Sequence, residues 1–242
     1  EEKTEIFARH GVRFSDFGTR RRYSYANHKR VITDIISTDN NTFNGTSNVY
    51  LAKRFGCKAM GTQAHEWYMF HGAYSGYRNA NRAGMEAWIR VYGKDLGIAL
   101  TDTFTTDNFL LNFDVELANM FSGVRHDSDD PFVFTDKIIS RYQELGISPM
   151  SKTIVFSDGL DVDRVLDIND FCKGRINCAF GIGTNLTNDV GVKPLNMVIK
   201  MSQCTVVGHA IWHPVVKLSD VKGKHTGDQA EIRRCKEFIL QE

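Results

Sequence analysis

The chain has 242 residues, 42% of them hydrophobic and 24% charged, which suits one large α/β domain able to bury roughly 70–75% of its unfolded surface. Its 30 basic and 29 acidic residues leave a net charge of +1, which excludes a general attraction for nucleic acid or an anionic membrane, so any phosphate recognition must be local. Five cysteines without a Cys-x-x-Cys pair exclude a disulfide framework and a zinc ribbon and point to a reducing cytosol.

No apolar run approaches the roughly 20 residues of a membrane span, and the opening Glu-Glu-Lys-Thr-Glu lacks the profile of a signal peptide. A start at Glu1 rather than methionine reads as a processed or excised piece of a longer protein. With only 4 prolines and no repeat or low-complexity linker, residues 1–242 read as one continuous domain.

In chain order, an apolar opening strand leads to Asp16-Phe17-Gly18-Thr19-Arg20-Arg21-Arg22, a tight turn followed by three guanidinium groups. Arginine's planar fork suits phosphate and carboxylate, although a basic triplet is also commonly a solvated helix start. A helix is expected over 47–55, closed by Gly56, and then a short strand at Lys58-Ala59-Met60. His65 follows that strand. Met69 stands where a zinc protease would carry a second histidine, leaving a nucleophilic or acid/base histidine, or a hydrogen-bonded structural one. Helical spacing covers 63–92 with a break near Gly72 to Gly76; a strand is expected at Ile98-Ala99-Leu100-Thr101 and a helix at 105–122.

Val124-Arg125-His126-Asp127-Ser128-Asp129-Asp130-Pro131 gathers charge at a strand end. Such a cluster can hold sugar hydroxyls or a magnesium ion carrying a diphosphate, or can be a capped acidic loop. Phe134, Ile138, Ile139, Tyr142 and Leu145 form one stripe of a helix ending at Gly146. The strand Thr153-Ile154-Val155-Phe156 runs into the Asp158-Gly159 turn and a helix over 161–173, ended by Gly174. A second strand ends on Gly181-Ile182-Gly183. Each loop by itself can be a tight βα turn; two in succession suggest phosphate cups. A last strand is expected at Met197-Val198-Ile199-Lys200. Strands alternating with helices imply a parallel sheet or a barrel, and the two late glycine loops favour the barrel.

In this order, DFGTRRR from Asp16, GTSNVYLA from Gly45, MGTQAHEW from Met60, RHDSDDP from Arg125, VFSDGLD from Val155, FGIGTNL from Phe180 and KPLNMVIK from Lys193 closely resemble nicotinate phosphoribosyltransferase of the bacterial type. The resemblance runs over nearly the whole chain. It implies an α/β fold, an irregular βα (TIM-like) barrel of the type II phosphoribosyltransferase kind, preceded in the family by an N-terminal domain that this chain lacks. It implies formation of nicotinate mononucleotide and pyrophosphate from nicotinate and phosphoribosyl pyrophosphate, with ATP as co-substrate and Mg2+ accompanying pyrophosphate and ATP. A cytoplasmic homodimer is implied for the full-length protein, with little activity in the fragment alone, and neither nucleic acid nor membrane as partner.

By the same resemblance Phe17 stacks on the pyridine ring, and Arg20 and Arg125 contact ligand anions. Asp127 holds ribose hydroxyls, and the ribose phosphate sits on Asp158, Gly159, Gly181 and Gly183. His65 matches the histidine that the family phosphorylates with ATP, and Asp102 is the candidate to orient it. No protein metal ligand is implied. His65, Arg125, Asp127, Asp158 and Gly181 are expected around one cavity. A nicotinamide-specific relative would carry an acidic residue at the position of Ser47, where a carboxylate would repel nicotinate. The other alternative is a non-catalytic barrel that binds phosphorylated metabolites, against which His65, Asp127 and both phosphate loops argue.

Overall fold

The computed structural model describes residues 2–38, 41–221 and 223–240. In chain order they form α1 (Glu2–Arg9), β1 (Phe14–Asp16), α2 (Tyr25–Thr38), β2 (Phe43–Thr46), α3 (Val49–Phe55), α4 (His65–Ser75) and α5 (Ala80–Tyr92). There follow β3 (Ile98–Leu100), α6 (Thr106–Asn112), α7 (Val115–Met120), β4 (Gly123–His126), α8 (Pro131–Glu144), β5 (Thr153–Phe156) and α9 (Val162–Cys172). The last elements are β6 (Asn177–Ile182), α10 (Thr184–Thr187), β7 (Gln203–Cys204), β8 (His213–Pro214) and α11 (Gln229–Leu240). No helix among the described residues is long and apolar enough to cross a membrane, and all five cysteines are free.

The chain divides into two compact units, one of Glu1–Gly61 with Pro149–Val198, the other of Thr62–Ser148 with Ile199–Glu242. In the first unit four parallel strands lie in the order β2-β1-β6-β5. Phe7, Phe14, Phe156 and Phe180 are buried beside them; the rings of Phe7 and Phe14 lie 5.1 Å apart and those of Phe156 and Phe180 stack at 5.8 Å. Each such side chain contributes about 1.5–3 kcal/mol by leaving water. In the second unit β3 and β4 pair in parallel, β7 and β8 pair antiparallel, and α4 packs on α5. Phe109, Phe113, Phe121 and Tyr142 form an aromatic core there.

Local signals account for most helix limits. Asn48 accepts a hydrogen bond from Leu51 N to start α3, and Gly56 closes it at φ 66°. Asp130 accepts from Phe132 N and Val133 N to start α8 with Pro131 in its first turn, three residues before the first apolar position of the expected stripe. Asp161 likewise accepts from Arg164 N at the head of α9. The helix expected over 105–122 is two helices, because Asp114 caps a new start by accepting from Leu117 N.

Other expectations are corrected. The break in 63–92 falls after Ser75, from Gly76 to Asn79. Gly72 lies inside α4, where an added Cβ would come within 2.6 Å of Phe104 Cζ, so its role is close packing. Lys58-Ala59-Met60 makes a single bridge, Thr46 to Ala59, rather than a strand. Met197-Val198-Ile199-Lys200 forms no strand; Ile199 is 77% exposed and no ladder neighbour pairs with it. Apolar alternation marks a strand only where a partner strand is present.

Candidate active site

In the first unit, the candidate residues follow the ends of parallel strands. Asp16 ends β1, and its Oδ1 accepts from Gly18 N at 2.8 Å, which turns the chain through Phe17. Phe17 N donates to Ile182 O at 2.8 Å, and the Phe17 ring lies against Gly181, so close that a Cβ on Gly181 would be 2.5 Å from Phe17 Cδ2. Ser47, just past β2, donates its backbone N–H to Asp16 O at 2.7 Å. Gly45 precedes it at φ 136°, where a side chain would run into the Lys58 carbonyl.

After β5 the chain turns at Gly159, φ 59°, with Asp158 half-buried beside it. After β6, Gly183 leads into the single turn of α10. Asn185 Nδ2 donates to Leu160 O at 2.7 Å and ties the two loops together. The three arginines do not act as a block. Arg20 is exposed, Arg21 Nη2 donates to Asn196 Oδ1 at 2.7 Å, and the Arg22 guanidinium lies 5.6 Å from the centre of the Tyr25 ring.

In the second unit, His65 is the first residue of α4, Asp102 lies just beyond β3, and Asp127 just beyond β4. His65 Nε2 is 2.9 Å from Asp102 Oδ1 and 3.5 Å from Asp127 Oδ2. Its Nδ1 is 3.4 Å from Lys200 Nζ, which also lies 3.3 Å from Glu66 Oε1. The other Asp102 oxygen accepts from Ser128 Oγ at 2.9 Å and meets Lys217 Nζ at 3.0 Å. Arg125 donates to Asp127 Oδ1 at 2.6 Å and to Thr62 Oγ1 at 2.8 Å.

Burial alone would raise the pKa of Asp102, but the hydrogen bond and charge of His65, and then Lys217, outweigh it and hold the carboxyl far below the usual carboxylate range. An ionised carboxylate only accepts, so His65 Nε2 carries a proton toward Asp102 whether the ring is charged or neutral; in the neutral ring the lone pair is on Nδ1, on the side of Lys200. Nearby, Asp220 accepts from Thr106 N and Oγ1, both at 2.7 Å. Burial pushes the Asp220 carboxyl above its usual range, the Thr106 hydrogen bonds oppose this, and the Asp102 charge adds to it.

The cluster His65, Asp102 and Asp127 has the donor types of a cation site, with ligand atoms within 4.8 Å of one another. Its carboxylates already carry Lys217 and Arg125 as counter-charges, and this balance suits an organised side-chain network better than a resident metal ion.

Four residues of this network had no role in the sequence reading. Lys200 and Ser128 both stood within quoted motifs, and the signal of Lys200 was a single cation at the end of an apolar run. Lys217, Ser128 and Asp220 are joined to Asp102 by tertiary folding: Leu218 N donates to Thr103 O at 2.8 Å and brings the Lys217 segment alongside. The isolated lysine in Val215-Val216-Lys217-Leu218 was the available signal.

Asp102 also yields a stability test in the full-length protein. Replacement by Ala leaves the buried His65 and the partly buried Lys217 without their partner and should cost about 3–5 kcal/mol. Because the folded-state pKa is depressed, the charge-dependent stabilisation is full above about pH 4 and is lost as pH falls toward the folded value. The stability gap between wild type and Asp102→Asn, measured by denaturant titration, should therefore narrow from pH 7 to pH 3. A gap that stays constant would remove the charge from the stabilisation.

Parallel strands followed by helices, with polar and glycine-rich residues just past the strand ends, define a βα enzyme core. The chain belongs to the nicotinate phosphoribosyltransferase (NAPRTase) family, whose profile matches residues 12–241. It is 54% identical over 233 residues to a nicotinate phosphoribosyltransferase of Desulforapulum autotrophicum, covering 96% of this chain and 60% of the relative. It is 52% identical over 238 residues to that of Chromohalobacter salexigens, covering 98% of this chain and 61% of the relative. The crystal structure of nicotinate phosphoribosyltransferase from Porphyromonas gingivalis superposes with a TM-score of 0.96 at 48% identity, over 98% of this chain and 62% of that one. The chain thus spans about 60% of the length of these relatives.

Proposed function

We propose that the protein containing this chain forms nicotinate mononucleotide and pyrophosphate from nicotinate and phosphoribosyl pyrophosphate, and couples this to ATP hydrolysis through a phosphohistidine at His65. Family membership across residues 12–241 supports the transfer reaction. The observation that carries the ATP step is the pair of contacts on His65, with Nε2 held by Asp102 and Nδ1 turned to Lys200.

Nδ1 attacks the γ-phosphorus of ATP, an N–P bond forms, the bond to the bridging oxygen breaks, and ADP leaves with the electron pair. Lys200 offsets charge on the phosphoryl group in transit. Water later cleaves the N–P bond and releases inorganic phosphate. In the transfer step the pyridine nitrogen bonds to C1 of the ribose as the bond to pyrophosphate breaks. Arg125 and Asp127 serve the ribose and its developing positive charge. The loops at Asp158-Gly159 and Gly181-Gly183 take the ribose phosphate, and Phe17, Arg20 and Ser47 serve nicotinate. Magnesium arrives on the diphosphate and on ATP. The full-length protein acts as a cytoplasmic homodimer.

Incubation of the full-length protein with γ-labelled ATP tests this directly. The expected result is acid-labile, base-stable phosphate on the peptide that contains His65, released as inorganic phosphate when nicotinate and phosphoribosyl pyrophosphate are added. Label confined to another residue, or no label, would contradict it.

A further inference from the structure

The proposed reaction leaves unused a polar cluster buried in the first unit at the ends of β1 and β2. Asp16 and His28 are both fully buried. Asp16 Oδ2 is 2.7 Å from His28 Nε2 on α2 and accepts from Thr46 Oγ1 at 2.5 Å, while Oδ1 accepts from Gly18 N at 2.8 Å. Thr46 Oγ1 also accepts from Asn48 N at 3.0 Å, and the Asn48 side chain starts α3. His28 Nδ1 is buried without a hydrogen-bond partner.

A buried carboxylate and imidazole lose their water on folding, and such pairs are weak sources of net stability compared with apolar packing of the same volume. The bonds this pair makes have a different consequence. Asp16 immediately precedes Phe17, and its Oδ1 fixes the next residue, Gly18. Thr46 immediately precedes Ser47, and the Ser47 N–H donates to Asp16 O at 2.7 Å. One carboxylate therefore ties together the two backbone segments that carry Phe17 and Ser47, and His28 braces that carboxylate from behind.

We infer that Asp16, His28 and Thr46 are positioning residues for the pyridine subsite, setting the place of Phe17 relative to Ser47. This rests on the reading of Phe17 and Ser47 as the residues that meet nicotinate. None of the three touches the substrate. They act by restricting the two loops to one arrangement, so their loss raises the cost of ordering the subsite when nicotinate binds.

The test uses the full-length protein and three variants: His28→Leu, which removes the brace; His28→Gln, whose amide nitrogen replaces Nε2; and Thr46→Val, which keeps the shape and removes both hydrogen bonds of the hydroxyl. His28→Leu should raise KM for nicotinate about tenfold and Thr46→Val about threefold, with a smaller change in kcat. KM for phosphoribosyl pyrophosphate and labelling from ATP should stay at wild-type values, and His28→Gln should recover most of the nicotinate affinity. Wild-type nicotinate KM in both His28→Leu and Thr46→Val would overturn this inference. So would a parallel loss of nicotinate affinity, phosphoribosyl pyrophosphate affinity and labelling, which marks a general structural defect. Absence of any nucleotide formation by the wild-type protein would instead overturn the reading on which the inference rests.

Discussion

His65→Ala in the full-length protein is expected to abolish labelling from ATP and the stimulation of nucleotide formation by ATP together. In the proposed reaction His65 is the residue on which the two events converge. Asp102 holds its Nε2 at 2.9 Å, and the remaining ring nitrogen faces Lys200. Phosphorylation there would place new negative charge beside the network formed by Lys200, Lys217 and Arg125, and so alter how tightly the site holds its substrates. Only such differential binding lets hydrolysis drive the transfer. A coupling free energy of about 1–3 kcal/mol corresponds to about 5- to 150-fold, and the ATP-stimulated rate should fall by a factor in that range. A slow ATP-independent reaction should remain, because Arg125, Asp127 and the glycine loops are untouched. Continued coupling in His65→Ala would return the residue to a hydrogen-bonded structural role.

The second large effect is expected at Gly181. Its Cβ position lies 2.5 Å from Phe17 Cδ2, 2.6 Å from Cε2 and 2.9 Å from Cγ, closer than real carbon contacts allow. Gly181→Ala must push the ring aside, and overpacking of this kind costs about 1–3 kcal/mol. An aromatic stacking contact contributes about 0.5–1.5 kcal/mol, so loss of the ring's placement should raise nicotinate KM by up to about tenfold. The double variant Gly181→Ala with Phe17→Leu separates the two consequences. The smaller side chain should recover stability in a denaturant titration while nicotinate KM stays high, a non-additivity expected of residues in direct contact. Unchanged nicotinate KM in Gly181→Ala would show that the ring does not contribute to binding.

The two units differ in how much of each was readable from the sequence. Asn48 with Gly56 and Asp161 with Gly174 mark α3 and α9 because caps and closing glycines act within a few residues of the chain. Val155 and Ala179 pair in the β5–β6 ladder, and apolar runs announced both strands. Met197 to Lys200 has similar composition and is not a strand, since pairing depends on a neighbour that the run itself cannot specify. Gly72 shows the same limit: a glycine required by Phe104 looks in sequence like a helix break.

Among the candidate residues, His65, Asp102 and Asp127 were conspicuous because each follows an apolar run read as a strand, whereas Phe17 was singled out through the family resemblance. Lys217 and Ser128 were not, because what each does depends on Asp102, which is distant in sequence. His28 is similar. Its partner Asp16 lies 12 residues away, and nothing in the spacing along α2 distinguishes it from a core position.

Nucleotide formation by the full-length protein, supplied with phosphoribosyl pyrophosphate, ATP and either nicotinate or nicotinamide, tests the proposed reaction most directly. Ser47 stands where the nicotinamide-specific relatives are expected to carry a carboxylate. A negative charge facing the nicotinate carboxylate would cost several kcal/mol across an interface; with Ser47 meeting nicotinate as proposed, no such repulsion arises. The expected result is nicotinate mononucleotide formed with release of pyrophosphate and consumption of ATP, and little product from nicotinamide. Equal or preferential use of nicotinamide would contradict the assigned specificity, and binding of phosphoribosyl pyrophosphate without product from either pyridine would contradict the assignment as a transferase.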